Sequence, residues 1–285
     1  MHDVPHRQLI AHAVVLIFVF AASRVNADEE KTANVGEQLQ TAKLMQAALA
    51  ARGGTPEERK KLDAQFAALV AESPRDANVR DARAEFLWEM GEPSRAIAEW
   101  ETAEQLDPKN PLVLEHLGVS ALALDETRKS AAYYSRSLAT DPANARGHFA
   151  LANIWFLFRH ELIDASHPDA ENLLQGALAH FAEAARLSPA NAEYARAYAE
   201  MFYSVAQPDW TAALTAWESF QRVSPQQDFA LLHLARVHLK LGQREAAKNC
   251  LSKVQNAEYQ TLKARLEAQV NAHPEVQSKS ASLRP

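Results

Sequence analysis

The densest set of side chains that could do chemistry in this chain falls within ten residues: His160, Glu161, Asp164, His167 and Asp169. Imidazole nitrogens and carboxylate oxygens are zinc ligands, and such a set with an open coordination position would activate water. The spacing does not suit that task. The two histidines are seven apart, and the His-Glu-x-x-His order is absent. The stretch reads as a solvated loop holding no metal, with Asp164 or Ser166 capping a short turn and Pro168 leading into a helix. A metal-dependent hydrolase built on this loop is the alternative that its composition allows. Covalent catalysis has no better footing. There is no Gly-x-Ser-x-Gly elbow, and Cys250, the single cysteine, has no obvious histidine partner. His116, His148, His180 and His233 occupy helical positions with no shared chemistry. Phosphate loops, dinucleotide fingerprints and zinc-type cysteine patterns are missing too. The expectation is a protein that is not an enzyme and takes no cofactor, so function must be sought in the elements that carry these side chains.

Those elements recur. Pro74, Pro108, Pro142, Pro189 and Pro225 are each followed ten residues later by a small residue: Ala84, Gly118, Ala152, Ala199 and Ala235. Eight residues before each proline stands an aromatic: Phe66, Trp100, Tyr134, Phe181 and Trp217. Between Pro111 and Pro142, Leu114, Leu117, Gly118, Ala121 and Leu122 trace one helical face. After the break at Asp125-Glu126-Thr127, Ser130, Tyr133, Tyr134, Ser137 and Leu138 trace another. A proline disfavours helix in the residue before it, so each one marks a helix end. The unit is helix, turn, helix, stop, copied along the chain.

The proline spacing is 34, 34, 47 and 36. A helical hairpin of 34 residues with these positions resembles the tetratricopeptide repeat. The family's second helix carries a small residue, an aromatic and a small residue. The matching triplets here are Ala96, Trp100, Ala103; Ser130, Tyr134, Ser137; Ala177, Phe181, Ala184; and, with a larger third member, Ala213, Trp217, Phe220. Its first-helix leucine and small residue match Leu117-Gly118, Leu151-Ala152 and Leu234-Ala235, and Gly91 and Gly242 close first helices. Arg83 departs from the pattern by taking the leucine's place. The resemblance implies an all-α, right-handed superhelical solenoid of helix-turn-helix repeats over 36–271. In the third repeat the small residues of the two helices, Ala152 and Ala177, are 25 apart, where Ala84 and Ala96 are twelve apart. An insertion is therefore expected at 159–172, with Leu162 or Ile163 folding back onto the repeats.

Composition agrees with a helical solenoid: 47% hydrophobic residues and only eight glycines in 285. A formal charge of −6 argues against nucleic acid as a partner. At the N-terminus, an apolar run from Leu9 to Ala22 precedes Val25-Asn26-Ala27. Residues 1–27 read as a signal peptide cleaved after Ala27, giving a periplasmic or secreted protein; the alternative is an uncleaved membrane anchor, the only membrane contact expected. Residues 28–35 read as a flexible leader and 272–285 as a disordered tail. Ala257 to Val270 reads as a capping helix with Leu262 and Leu266 inward.

In the family that this chain resembles, first helices line a concave groove that binds protein or peptide. By helical spacing the groove residues are Asn78, Asp81, Glu85 and Trp88, then Glu115, then Phe149, Asn153 and Phe156, then Arg196, Glu200 and Tyr203, and last Arg236. Its N-terminal half is acidic, adding Glu89, and its C-terminal half basic, adding Lys240. A partner with a basic and an acidic end would suit it.

Overall fold

The computed structural model describes residues 32–272, whose regular structure is entirely helical. The expected signal segment 1–27, the start of the leader and the tail beyond 272 lie outside the described residues. The chain divides into two compact units, the first ending at Ser120 and the second starting at Ala121.

In the first unit, helix α1 covers 32–52 of the described residues. Residues 32–35, expected as leader, are already helical, and Val35 is buried. The reason is a stripe hidden in polar sequence. Val35, Ala42 and Leu49 recur every seven residues, with Leu39 between, and pack against Leu62, Phe66 and Leu69 of α2 (Pro56–Glu72). Thr55 and Glu58 cap α2 reciprocally, the Thr55 hydroxyl accepting from the Glu58 N–H and the Glu58 carboxylate from the Thr55 N–H. Helices α3 (Ala77–Glu89) and α4 (Pro93–Leu106) form the next hairpin, and α5 (Pro111–Ala123) begins the one after. Arg83, in the leucine's place, bonds Glu99 at 2.8 Å and faces Asp63 at 3.5 Å, while Arg80 holds the other Glu99 oxygen at 2.7 Å. A half-buried ion network thus replaces apolar packing there.

The second unit continues with α6 (Thr127–Thr140), α7 (Ala145–Leu157), α8 (Ala170–Leu187), α9 (Ala192–Met201), α10 (Trp210–Val223), α11 (Gln227–Lys240), α12 (Arg244–Ser252) and α13 (Gln260–Asn271), the last entered through a 3-10 turn at Ala257–Tyr259. From α6 onward each helix packs against the next, and α13 also touches α11.

The same local chemistry sets the boundaries in both units. Two residues after four of the prolines comes Asp76, Asn110, Asn144 or Asn191, and each side chain accepts from N–H groups of the next helix's first turn. The turns inside three hairpins share one closure. Glu92, Glu126 and Gln243 donate their N–H to the carbonyls of Leu87, Ala121 and His238, five residues back. That closure needs a left-handed residue just before the donor: Gly91 at φ +74° and Gly242 at φ +73°, but Asp125 at φ +60°. The five pre-proline aromatics, Phe66, Trp100, Tyr134, Phe181 and Trp217, are all buried. Beside them Ala84, Ala96, Ala152, Ala177, Ala199, Ala213 and Ala235 have no exposed surface, because only small residues let helix backbones approach this closely.

The insertion is an ordered loop over 158–169, and α8 already begins at Ala170. Leu162 folds back into a core with Tyr134, Leu138, Leu151, Ile154 and Leu173, while Ile163 stays exposed. Arg128 of α6 clamps the loop by donating to the carbonyls of Glu161 and Ile163.

Candidate functional site

Two of the insertion's ligand-type carboxylates, Asp164 and Asp169, are taken up by backbone N–H groups. Asp164 accepts from the Ser166 and His167 N–H groups at 2.8 and 2.9 Å, and these bonds hold its carboxyl below the usual range. Asp169 caps α8 through the Asn172 N–H at 2.8 Å. The His167 ring meets Trp155 edge-on at 5.0 Å.

On the first helices of the N-terminal unit, the structure corrects two expected groove residues. Asp81 and Glu115 are buried. With its side chain only 4% exposed, Asp81 accepts the Trp100 indole N–H at 3.0 Å and the His116 Nδ1–H at 2.7 Å. A carboxylate can only accept, so His116 carries its proton on Nδ1 here. The two donors are what make this burial tolerable. Trp88 is half-buried, 5.6 Å from Trp100. Asn78 and Glu89 are exposed and Glu85 partly so.

In the C-terminal unit, Phe149 of α7 stacks on Tyr194 at 4.6 Å and meets Phe181 edge-on at 5.6 Å. Asn153 turns back to donate to the Phe149 carbonyl at 2.8 Å, and the Arg159 guanidinium sits 5.7 Å from the Phe156 ring. On α7 itself, His148 donates through Nε2 to the Pro142 carbonyl at 3.2 Å, which leaves its Nδ1 to accept from His180 Nδ1–H at 2.7 Å. Burial, and then the neighbouring His148, push the His180 pKa down to about 4.

The richest array lies on α9 and the turn after it, α10 and α11. Three cations each lie over an aromatic ring: Arg196 over Phe229 at 4.7 Å, Arg236 over Tyr203 at 4.4 Å and Lys240 over Trp210 at 5.5 Å. The rings form one block, with Tyr203 5.9 Å from Trp210 and 6.0 Å from Trp217. His233 lies flat on Trp217, 4.2 Å away with an interplanar angle of 7°, and its Nδ1 is 3.2 Å from the Tyr203 hydroxyl. Burial lowers the His233 pKa to about 4 and raises that of Tyr203 to about 12, so both are neutral at pH 7. Arg196 pairs with Glu200 at 2.9 Å, whereas Arg236 and Lys240 make no ion pair with a described residue. The Trp217 indole N–H is buried without an acceptor among the described residues. Trp210, Phe229 and His233 are the members of this array that sequence reasoning missed. A signal existed: His116 meets Asp81, His180 meets His148 and His233 meets Tyr203 across 35, 32 and 30 residues, about one repeat each time.

This geometry defines a helical-repeat protein with an aromatic, cation-roofed face. Residues 230–261 match the family model of the tetratricopeptide repeat. No curated protein matches the chain. Among solved structures it is similar to YrrB, described as a TPR protein with an unusual peptide-binding site (17% identity, 71% of this chain and 97% of that one, TM-score 0.55). It is also similar to pilF of Pseudomonas aeruginosa (16% identity, 81% and 99%, TM-score 0.55) and to a MamA structure (15% identity, 65% and 92%, TM-score 0.50). The fold is thus that of tetratricopeptide-repeat proteins, an all-α helical-repeat solenoid.

Proposed function

We propose that this protein is an exported, non-enzymatic scaffold that holds a peptide segment or partner domain on its first-helix faces. The observation that carries this reading is the array on α9, α10 and α11: three cations fixed over rings, two of them free of any ion pair with a described carboxylate. Side chains held this way lose little further freedom when a partner arrives, which lowers the cost of binding. Aromatic rings and arginine are also the groups that dominate interface energetics. YrrB, a structural neighbour described as having a peptide-binding site, supports the same use of the fold.

A pull-down from envelope extract tests the reading. The Arg236→Ala, Lys240→Ala double variant should lose a partner that the parent captures and that Lys248→Ala retains; Lys248 lies on α12, paired with Glu245. Equal capture by all three proteins would refute it. Export rests on residues 1–27, and N-terminal sequencing of the mature protein should start at Asp28. An intact mass that includes residues 1–27 would instead make it a membrane-tethered assembly factor.

A further inference from the structure

The last helix does more than close the stack. Leu266 and Val270 of α13 enter the core with Leu231, Leu232, Ala235, Ala247, Leu251 and Val254. Leu262, one turn before Leu266 and expected inward, is instead 40% exposed. A capping helix gains nothing from showing solvent a leucine, and this one lines a cleft of about 240 Å³ between α11 and α13. The cleft's aliphatic part is Leu232, Leu262 and Leu266, and its polar part is His233, Arg236, Arg265 and Gln269.

Among the described residues, no carboxylate lines this cleft. Arg236 is steadied over Tyr203, and neither it nor Arg265 makes an ion pair with a described residue. Lys240 lies one turn further along α11. Two guanidinium groups without an ion pair to any described residue thus flank a leucine-lined hollow on a chain of net charge −6. The volume is below the roughly 300–1,000 Å³ usual for a drug-sized ligand, and it accommodates about one or two side chains. A nucleic acid would need a longer basic track along its backbone.

We propose that this cleft docks an acidic segment of a partner protein, one that presents a leucine-sized aliphatic residue flanked by carboxylates. The aliphatic side chain would fill the hollow between Leu232, Leu262 and Leu266. The flanking carboxylates would accept from the Arg236 and Arg265 guanidinium groups, whose planar forks suit carboxylate geometry. Gln269 would bond the segment's backbone. The inference rests on the scaffold reading and names the partner's chemistry at one end of the array.

The test is fluorescence anisotropy on the mature chain with a labelled 15-residue peptide of alternating Glu, Asp and Leu. Two control peptides carry Lys for every acid or Ser for every Leu. The acidic leucine peptide should bind, weaken with added salt and bind at least tenfold more tightly than either control. Arg265→Ala and Leu262→Asp should each weaken it about tenfold with an unchanged circular dichroism spectrum, since neither side chain is in the core. Failure of the parent to bind this peptide would overturn the proposal. So would binding indifferent to both substitutions, or tighter binding of a single-stranded oligonucleotide or of phosphatidylglycerol vesicles. Arg265 and Leu262 lie outside the α9–α11 array. A captured partner lost from Arg236→Ala, Lys240→Ala but kept by Arg265→Ala would therefore refute the cleft and leave the scaffold reading standing.

Discussion

Lowering the pH should loosen the C-terminal unit through His233. Its ring lies on Trp217, its Nδ1 faces the Tyr203 hydroxyl, and Arg196 and Arg236 stand close enough to oppose a positive charge on it. Burial comes first among the causes that set its folded pKa at about 4, against 6.5 for the free side chain. Because the folded value is depressed, the neutral ring's contribution is complete above pH 6.5 and is lost as pH falls toward 4. In that window the unfolded chain binds the proton that the folded chain refuses. Each pH unit is worth about 1.4 kcal/mol. Between pH 7 and 4.5 the loss is about 2 kcal/mol, once the ring's partial exposure to solvent is allowed for. His233→Phe keeps a ring on Trp217 and removes the titration. Urea melts of both proteins at pH 7, 6, 5 and 4.5 isolate the effect, because His180 and the carboxylates titrate in both. The variant should be less stable at pH 7, from the lost Tyr203 contact, and gain on the parent by about 2 kcal/mol at pH 4.5. Stability curves that run parallel across this range, or an NMR titration placing His233 above pH 6, would refute the reasoning.

Further outcomes follow from local geometry. Asp125→Gly should stabilise the chain by about 0.5–1 kcal/mol in urea melts, because Asp125 holds a left-handed φ of +60° that glycine adopts freely; destabilisation would mean the aspartate side chain outweighs the backbone cost. Leu162→Ala should cost about 2–4 kcal/mol, since only 5% of Leu162 is exposed; a loss below about 0.5 kcal/mol would detach the insertion from the core. Trp100→Ala should cost about 3–5 kcal/mol as a large-to-small core change, and Asp81→Ala about 1–3 kcal/mol by leaving the buried Trp100 N–H without its acceptor. A double variant no worse than Trp100→Ala alone would show that the carboxylate is there for the indole.

The repeat frame was legible because it is written in residues with one physical meaning each. A proline stops a helix, an alanine permits close approach, and an aromatic eight residues before the proline is buried in all five copies. The start of α1 was not legible. Val35, Leu39, Ala42 and Leu49 form its inward stripe, but between them lie Gly36, Glu37, Gln38 and Gln40, and a stripe one residue wide carries little hydrophobic signal. Leu262 was misplaced for the opposite reason. It and Leu266 are four apart and share a helical face, yet only Leu266 and Val270 of α13 enter the core.

Two of the expected groove residues, Asp81 and Glu115, are buried, and Asp81 shows why the sequence reading missed this. Helical spacing put it on the first-helix face, and its charge argued for solvent. What decided its burial is the Trp100 N–H, supplied from the second helix 19 residues later, and the His116 N–H from the next repeat. The same place in the C-terminal unit shows the converse: the Trp217 N–H meets no described carboxylate, and its ring takes the flat face of His233 instead. Spacing within a repeat says which positions face each other across neighbouring helices. Whether a pair becomes a buried hydrogen bond, a stacked ring or an exposed charge depends on what stands one repeat away. A carboxylate opposite an indole is drawn inward, whereas Arg236 opposite Tyr203 pairs with no described carboxylate and remains at the surface.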